Sequence, residues 1–131
     1  MRFATLGSGS KGNSALIQSG DTLVMLDCGF QISEAEKRLE RLGVEADDLD
    51  AIFVTHEHGD HLSGVAKMAR KHHTPVWMTP GTFAAWRDSV VPRVHNLSPH
   101  DAFSVGDLQV QPFPVPHDAR EPCHYVFSDG Q

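Results

Sequence analysis

Three histidines and an aspartate crowd into one short segment of the chain, Thr55-His56-Glu57-His58-Gly59-Asp60-His61. Imidazole is the commonest metal ligand in proteins, and imidazole with carboxylate favours zinc, with manganese, iron or cobalt as alternatives. In extended backbone, His56 and His58 lie on the same side, because side chains alternate along a strand. Gly59 is expected to let the backbone turn sharply, so that Asp60 and His61 point back at the same space. The spacing therefore predicts ligands for two neighbouring metal ions, one held by the first two histidines and the other by Asp60 with His61.

The elements on either side of this cluster determine whether its side chains converge. Residues 51–55 form a short, mostly apolar run that polar residues precede, which is typical of a strand buried on both faces. After the cluster, apolar residues recur at the spacing of an amphipathic helix, namely Leu62, Val65, Ala66 and Ala69. The cluster is therefore expected at the junction of a buried strand and a helix.

The rest of the chain alternates between strand and helix patterns. Apolar runs at residues 14–18 and 22–26 flank a turn sequence and predict a hairpin. Ser33 and Glu36 have the spacing of a capping box, which predicts the start of a helix that Gly43 ends. A further helix is predicted at residues 82–90, and further strands at 2–6, 75–78, 108–115 and 125–128. This order predicts a mixed α/β domain whose helices cover at least one face of a sheet.

Length and composition are those of a water-soluble globular chain. With 131 residues, the sequence predicts a single domain over residues 1–131. The formal net charge of −6 argues against a general nucleic-acid coat, but it is compatible with an enzyme that has a local metal-based phosphate site. Two cysteines, Cys28 and Cys123, are too few for a disulfide framework, and we expect both to be buried and reduced. No apolar run has the length of a membrane span and the N-terminus lacks a secretory signal pattern, so the expected location is cytoplasmic.

A glycine-rich segment follows the first predicted strand, with the sequence Gly7-Ser8-Gly9-Ser10-Lys11-Gly12. Its glycine spacing imitates a dinucleotide-binding fingerprint, but too few residues separate Gly12 from Thr22 for the crossover helix that such a site needs. Because Lys11 precedes its glycine, the segment is not a Walker A loop either. Its backbone amides and the hydroxyls of Ser8 and Ser10 either face a phosphate at the metal site or form only a tight connection.

Several segments together resemble one known family. The 55–61 segment resembles the metal motif of the metallo-β-lactamase-fold hydrolase superfamily, and Leu26-Asp27-Cys28-Gly29 is similar to its strand-end Asp-x-Gly. A further segment of this chain is similar to the one that delivers the next histidine in that family, with the sequence Pro116-His117-Asp118-Ala119-Arg120-Glu121-Pro122. With the glycine-rich segment through Asn13 added, the pattern resembles the WalJ/YycJ-like branch, whose members are regarded as DNA-directed phosphodiesterases or exonucleases.

The resemblance implies a role for each candidate residue. His117 would complete the ligands of the first metal ion, and Asp60, besides binding the second ion with His61, would orient a bridging hydroxide. Asp27 would accept a hydrogen bond from a ligand imidazole and fix its orientation. If the glycine-rich segment faces the metal site and is not only a tight connection, Ser8, Ser10 and Asn13 would meet a phosphate group of the substrate. The chain departs from the family at its glycine before the tyrosine, where His124 stands beside Cys123, and we interpret this pair as the start of a strand near the site.

The resemblance also implies how much of the fold is present. The family fold is an αββα sandwich, classed as α/β (α+β), and the sequence corresponds to its N-terminal portion only. Five of the seven expected ligands are found, because nothing after Tyr125 can be the bridging aspartate or the last histidine except Asp129, which is predicted to lie in a turn. The chain also ends just after Asp129-Gly130, a turn signal with no return strand behind it. We therefore expect a C-terminally truncated, incomplete domain.

The sequence thus predicts a zinc-dependent hydrolase, acting as a phosphodiesterase or nuclease through a hydroxide bound by two zinc ions. Manganese or iron is the alternative metal, and the expected partner is a phosphodiester substrate such as DNA, with no membrane involved. One alternative keeps the metal and changes the substrate to a thioester or lactone. The other is an inactive metal-binding half domain, which we expect to form a homodimer through its uncovered surface.

Overall fold

The described residues form two β-sheets, with helices packed against the larger one. The computed structural model describes residues 1–86, 91, 93–116 and 118–130. Its strands are β1 Arg2–Gly7, β2 Ser14–Ser19, β3 Thr22–Leu26, β4 Ala51–Phe53, β5 Val76–Met78, β6 Val94–Asn96, β7 Phe103–Val105, β8 Leu108–Pro114 and β9 Cys123–Ser128. Its helices are α1 Ile32–Arg41, α2 Gly59–Leu62, α3 Val65–His72 and α4 Pro80–Ala85, with a 3-10 turn at Ala46–Asp48.

The larger sheet contains β1 to β6 in the order of the sequence. Strands β1, β2 and β3 pair antiparallel, which confirms the predicted hairpin, whereas β3 to β6 are parallel. In the central parallel pair, Val24 lies beside Ala51 and Leu26 beside Phe53. Because carboxyl ends of parallel strands meet at one edge of a sheet, the residues that follow β3 and β4 are brought together.

Both faces of the larger sheet are covered, as the apolar run at residues 51–55 predicted. Met25 and Ile52 point into a core shared with the helices, where they join Leu39 of α1 and Met68 of α3. The alternate residues point into a second core between the two sheets, and Phe53 has the largest of the fully buried side chains there. Strand β4 thereby anchors the segment that follows it between two packed layers.

The smaller sheet, β7-β8-β9, is antiparallel and covers the larger sheet on one side only. Its outer face is open in the described part of the chain: Phe113 is 39% exposed and Val126 is 54% exposed. The described residues therefore form three layers of the predicted αββα arrangement, namely helices and two sheets.

The predicted capping box at the start of α1 is wrong. The helix begins at Ile32 after Gln31, and no side chain caps its N-terminus. Ser33 is exposed in the first turn, and the Glu36 carboxylate instead accepts hydrogen bonds from Lys71 and from His72 of α3. These contacts between the two helices engage the carboxylate that the predicted cap would have used.

The helix predicted from Leu62 to Ala69 is two helices, α2 and α3, with a break at residues 63 and 64. The break follows from close backbone contact with the segment after β3. Gly64 donates a hydrogen bond from its amide to the Cys28 carbonyl at 2.8 Å, and a Cβ at Gly64 would lie 1.9 Å from the Phe30 carbonyl oxygen. Such an approach between distant segments has no signal in the helical periodicity.

The remaining differences are at the ends of elements and in two short strands. Strand β4 ends two residues before the predicted 51–55 run does, and β8 and β9 match the predicted strands within two residues. Helix α4 begins at Pro80, with the Thr79 hydroxyl accepting a hydrogen bond from the Thr82 amide, and it ends at Ala85. The rest of the predicted 82–90 helix falls largely on residues 87–90, which lie outside the described residues. Strands β6 and β7, each three residues long, were not predicted.

Candidate metal centre

Asp27 lies at the carboxyl end of β3, where the parallel strands converge. Its amide donates a hydrogen bond to the Phe53 carbonyl at 2.7 Å, which extends the pairing of β3 with β4 by one residue. Its backbone then takes a left-handed conformation, with φ of 57°. Aspartate is among the few residues other than glycine that adopt this conformation readily. The turn directs a buried carboxylate toward the segment after β4.

The Asp27 carboxylate accepts three hydrogen bonds from the 55–61 segment. Oδ1 accepts from the Thr55 amide at 2.8 Å, and Oδ2 accepts from the Thr55 hydroxyl at 2.8 Å. Oδ2 also lies 2.7 Å from Nδ1 of His61, so that this ring nitrogen carries the hydrogen it donates. Nε2 of His61 then carries the lone pair, which is the arrangement of an imidazole that binds a metal ion through Nε2.

The other two histidines of the segment, His58 and His61, lie close to His56. The ring centroids of His56 and His58 are 4.8 Å apart, and those of His56 and His61 are 4.1 Å apart. Asp60 joins them, with its Oδ2 3.6 Å from Nε2 of His61. His56 is buried, whereas the other three are partly accessible. The structure thus brings together all four ligand candidates of the 55–61 segment.

The Asn13 side chain links the glycine-rich segment to Asp60. Its amide nitrogen lies 3.1 Å from Oδ2 of Asp60, 3.1 Å from the Asp60 carbonyl and 2.8 Å from the Gly9 carbonyl. Its carbonyl oxygen accepts from the Gly9 amide at 3.0 Å. Asn13, expected at the substrate phosphate, is therefore engaged within the protein, while Ser8 and Ser10 are exposed on the loop.

Backbone contacts fix the 55–61 segment against the segment after β3. The Asn13 amide donates to the Asp60 carbonyl at 2.7 Å, and the Cys28 amide donates to the His61 carbonyl at 2.8 Å. Gly29 permits this approach, because a Cβ there would lie 1.8 Å from the Asp60 carbonyl oxygen. Gly59, by contrast, has no left-handed φ and no atom within 4 Å of a Cβ built on it. The expectation that Gly59 makes the turn possible is therefore wrong; the close approach occurs at Gly29.

Opposing effects act on the charge of His61. Burial lowers the pKa of its imidazole, whereas the hydrogen bond and charge of Asp27, together with the charge of Asp60, raise it. The net shift of the His61 pKa is upward. Without a metal ion, the two carboxylates thus strengthen the binding of a proton by His61, and a bound cation would replace that proton as their positive partner.

A third segment, residues 118–123, attaches to the same region. The Arg120 amide donates to the Glu57 carboxylate at 3.0 Å, and the Cys123 amide donates to the Thr55 carbonyl at 2.9 Å. Cys123 begins β9, in agreement with the interpretation of this position as a strand start. His117, the predicted third ligand of the first metal ion, lies outside the described residues, and its role stays a prediction.

The donor set fits a divalent metal ion in its chemistry. Imidazole and carboxylate are ligands of zinc, manganese and iron, and the Asp27 contact gives His61 the tautomer that such a bond requires. Among the described residues, however, no group of three or more His, Cys, Asp or Glu side chains has the spacing to hold a metal ion. The four gathered side chains therefore form a partial set, to which further ligands such as His117 would have to be added.

The spacing of the metal motif does not predict the contacts that two further residues, Thr55 and Glu57, make at this site. Thr55 contributes a hydroxyl between Asp27 and Nδ1 of His56, and Glu57 binds a backbone amide instead of taking part in the cluster. The polar residue directly after a buried apolar strand was the available signal for Thr55. Nothing local distinguishes Glu57 from the other acidic residues of the chain.

Comparison with known proteins identifies a family and relatives. The family model described as the metallo-beta-lactamase superfamily matches residues 7–131. The chain is similar to exodeoxyribonuclease YycJ of Bacillus anthracis, with 32% identity over 134 residues that cover 99% of this chain and 51% of that protein. It is also similar to exodeoxyribonuclease WalJ of Streptococcus pneumoniae, with 31% identity covering 96% of this chain and 49% of the other. The chain thus spans about half the length of the curated relatives it matches.

Solved structures agree on the fold. The Rm3 metallo-beta-lactamase superposes with a TM-score of 0.80 at 20% identity, covering 98% of this chain and 55% of that one. At such low identity the likeness concerns the fold alone. These matches confirm the family resemblance and the sandwich architecture expected from the sequence. None of them supports the expected homodimer. Within the described part of the chain, none of the helices has the length and apolar character that crossing a membrane requires.

Proposed function

Because the chain belongs to the metallo-beta-lactamase superfamily, we propose that it is a metal-dependent hydrolase that cleaves phosphodiester bonds in nucleic acid. The observation that carries this proposal is the network in which Asp27 orients His61 directly and contacts Thr55 beside His56. Buried polar networks of this kind are costly unless every member is satisfied, so an array of oriented imidazoles needs a reason beyond stability. Holding a cation is that reason.

The proposed ligands fall into two groups. His56, His58 and His117 would hold one divalent metal ion, and Asp60 with His61 would hold a second, zinc being the expected metal and manganese or iron the alternatives. Such ions, when bound, lower the pKa of a coordinated water and stabilise negative charge on the phosphodiester oxygens. The assignment is supported by residue type and by the 4.1 and 4.8 Å separations of the imidazole rings.

The chain's own residues supply orientation. Asp27 keeps Nδ1 of His61 protonated, so that Nε2 is available as a ligand atom. Asn13 holds the Asp60 carboxylate through one oxygen and the Asp60 carbonyl at the same time, which fixes the direction of this proposed catalytic carboxylate. Because these partners are set before any substrate arrives, little reorganisation is needed during the reaction.

The choice of substrate rests on the relatives. Two relatives that match nearly all of this chain are named exodeoxyribonucleases, which supports DNA as the substrate. The exposed hydroxyls of Ser8 and Ser10 are proposed to meet a phosphate, because their loop is joined to Asp60 through Asn13. A thioester or lactone substrate is the alternative, since one fold supports many hydrolytic reactions.

Metal content and DNA cleavage test the proposal together. The chain would be treated with chelator, reloaded with zinc or manganese, dialysed and measured for bound metal and for hydrolysis of end-labelled duplex DNA. We expect bound metal in the parent chain and in His100→Ala, an exposed control position, and loss of the metal in His58→Ala, together with any cleavage that the parent chain shows. Cleavage that survives both chelator and His58→Ala would refute the metal-dependent hydrolase.

The same samples separate the alternatives. Hydrolysis of a thioester or lactone in place of DNA would favour the second substrate class. Metal binding without hydrolysis of any substrate would favour the inactive half domain, and light scattering on that sample would then show whether it forms the expected homodimer. A chain that binds no metal at all would contradict every one of these readings.

A further inference from the structure

We propose that the Thr55 hydroxyl is a positioning group that fixes His56 in the tautomer with its hydrogen on Nδ1 and its lone pair on Nε2. The hydroxyl oxygen lies 2.8 Å from Oδ2 of Asp27 and 2.8 Å from Nδ1 of His56. The use of this tautomer in metal binding rests on the proposed function, whereas the tautomer itself is a property of the metal-free chain.

Counting hydrogens around Thr55 gives the direction of each bond. An ionised carboxylate can only accept, and a threonine hydroxyl has one hydrogen to donate. The hydroxyl therefore donates to Asp27, because the opposite orientation would place lone pairs of two oxygens against each other at 2.8 Å. With its hydrogen used, the hydroxyl can only accept from His56, so Nδ1 of His56 carries the hydrogen. The lone pair then lies on Nε2.

The hydroxyl cannot turn away from this position. The Thr55 amide donates to Asp27 at 2.8 Å, and the Thr55 carbonyl accepts from the Cys123 amide at 2.9 Å, so the backbone is bonded on both sides. The residue is buried, and its branched Cβ restricts χ1 to few rotamers. Thr55 thus presents a fixed acceptor to His56, which is itself buried.

The result is one carboxylate oxygen that orients two imidazoles. Oδ2 of Asp27 accepts directly from Nδ1 of His61 and reaches Nδ1 of His56 through the Thr55 hydroxyl. Both rings, 4.1 Å apart between centroids, therefore carry their lone pairs on the same type of nitrogen. Removing the hydroxyl would take this acceptor from Nδ1 of His56 and leave the direct contact of Asp27 with Nδ1 of His61 in place, which gives the proposal a specific signature.

Long-range ¹H–¹⁵N NMR of the metal-free chain reads the tautomer of each histidine, with the His56 signal assigned by its loss in His56→Ala. We expect the Nδ1–H form at His56 in the parent chain and in Thr55→Ser, which keeps a hydroxyl. Thr55→Val, which has nearly the same shape, should shift His56 toward the Nε2–H form without changing His61. Thr74→Val is the matched control, because Thr74 is buried and, within the described residues, its hydroxyl has no hydrogen-bond partner.

An Nε2–H form of His56 in the parent chain would overturn the proposal, and so would an unchanged tautomer in folded Thr55→Val. If Thr55→Val does not fold, the parent chain and Thr55→Ser still decide the question. In zinc titrations, Thr55→Val should weaken binding by about 10- to 100-fold, with Thr55→Ser and Thr74→Val close to the parent. Absence of zinc binding in every variant, with the tautomer as expected, would refute the proposed function and leave this inference standing.

Discussion

Replacing Gly29 by alanine should destabilise the fold at the centre of the candidate site. A Cβ on Gly29 would lie 1.8 Å from the carbonyl oxygen of Asp60, 2.3 Å from its carbonyl carbon and 2.9 Å from the Asn13 amide nitrogen. All three contacts are with backbone, so no side-chain rotation can relieve them, and the two segments must separate by more than about 1 Å.

The cost follows from the hydrogen bonds that cross this contact. The Asn13 amide donates to the Asp60 carbonyl at 2.7 Å, and the Gly29 amide donates to the Asn13 carbonyl at 3.0 Å. Leaving buried backbone groups unpaired costs about 1–3 kcal/mol each, so we expect Gly29→Ala to lower the free energy of unfolding by about 3 kcal/mol. With a urea m-value of about 1–3 kcal/mol/M, the unfolding midpoint should fall by about 1–3 M.

Gly59→Ala is the matched control, four residues after Thr55 in the same metal motif. No atom lies within 4 Å of a Cβ at Gly59, and its φ is not left-handed. Alanine there should leave the free energy of unfolding unchanged or raise it by up to about 1 kcal/mol. The reasoning fails if Gly29→Ala is as stable as the parent chain, or if Gly59→Ala loses as much stability as Gly29→Ala.

Three further predictions concern other parts of the chain. Burial raises the pKa values of the Cys28 and Cys123 thiols to about 11, so both should react slowly with iodoacetamide at about pH 8 in the folded chain and quickly in urea; equal rates would contradict this. Tyr125→Phe removes a 2.7 Å hydrogen bond to a buried carbonyl and should lower the free energy of unfolding by about 1–2 kcal/mol in urea titrations, and no loss would contradict the bond. The hydrogen bond from Lys71 lowers the pKa of Glu36 below its ordinary 4.5, so the carboxylate stabilises the fold above that pH, and this contribution is lost as pH falls through the lowered pKa. The Tm difference between the parent chain and Glu36→Gln should therefore be present at about pH 7 and disappear in acid, and a constant difference would argue against it.

The parts of the fold that could be predicted are those set by local pattern. The hairpin of β2 and β3, helix α1 and the buried strand β4 follow from alternation, helical spacing and a continuous apolar run. The break between α2 and α3 could not be predicted, because it arises where Gly64 meets the Phe30 carbonyl, far away in the sequence. The capping box failed for a similar reason, since Glu36 is bound by residues of α3.

In the candidate site, too, the features set by local pattern could be predicted and those set by contacts between distant segments could not. The gathering of His56, His58, Asp60 and His61 was predicted from spacing, because alternation and a following helix act over only a few residues. The partners that orient these side chains were not all predicted, since Asn13 and Thr55 reach them through contacts between separate segments. Such contacts depend on the parallel pairing of β3 with β4, which sequence pattern alone does not define.

The left-handed backbone at Asp27 limits which amino acids this position accepts. Glycine and asparagine tolerate a φ of 57°. However, glycine has no acceptor, and in either orientation of its side chain asparagine would place an NH₂ group against a donor, because donors point at both Oδ1 and Oδ2. Glutamate has the charge, but it is disfavoured in this conformation and one methylene longer. In a saturation library selected for activity, only the aspartate codons should survive at position 27, whereas a selection for folding alone should also recover asparagine and glycine.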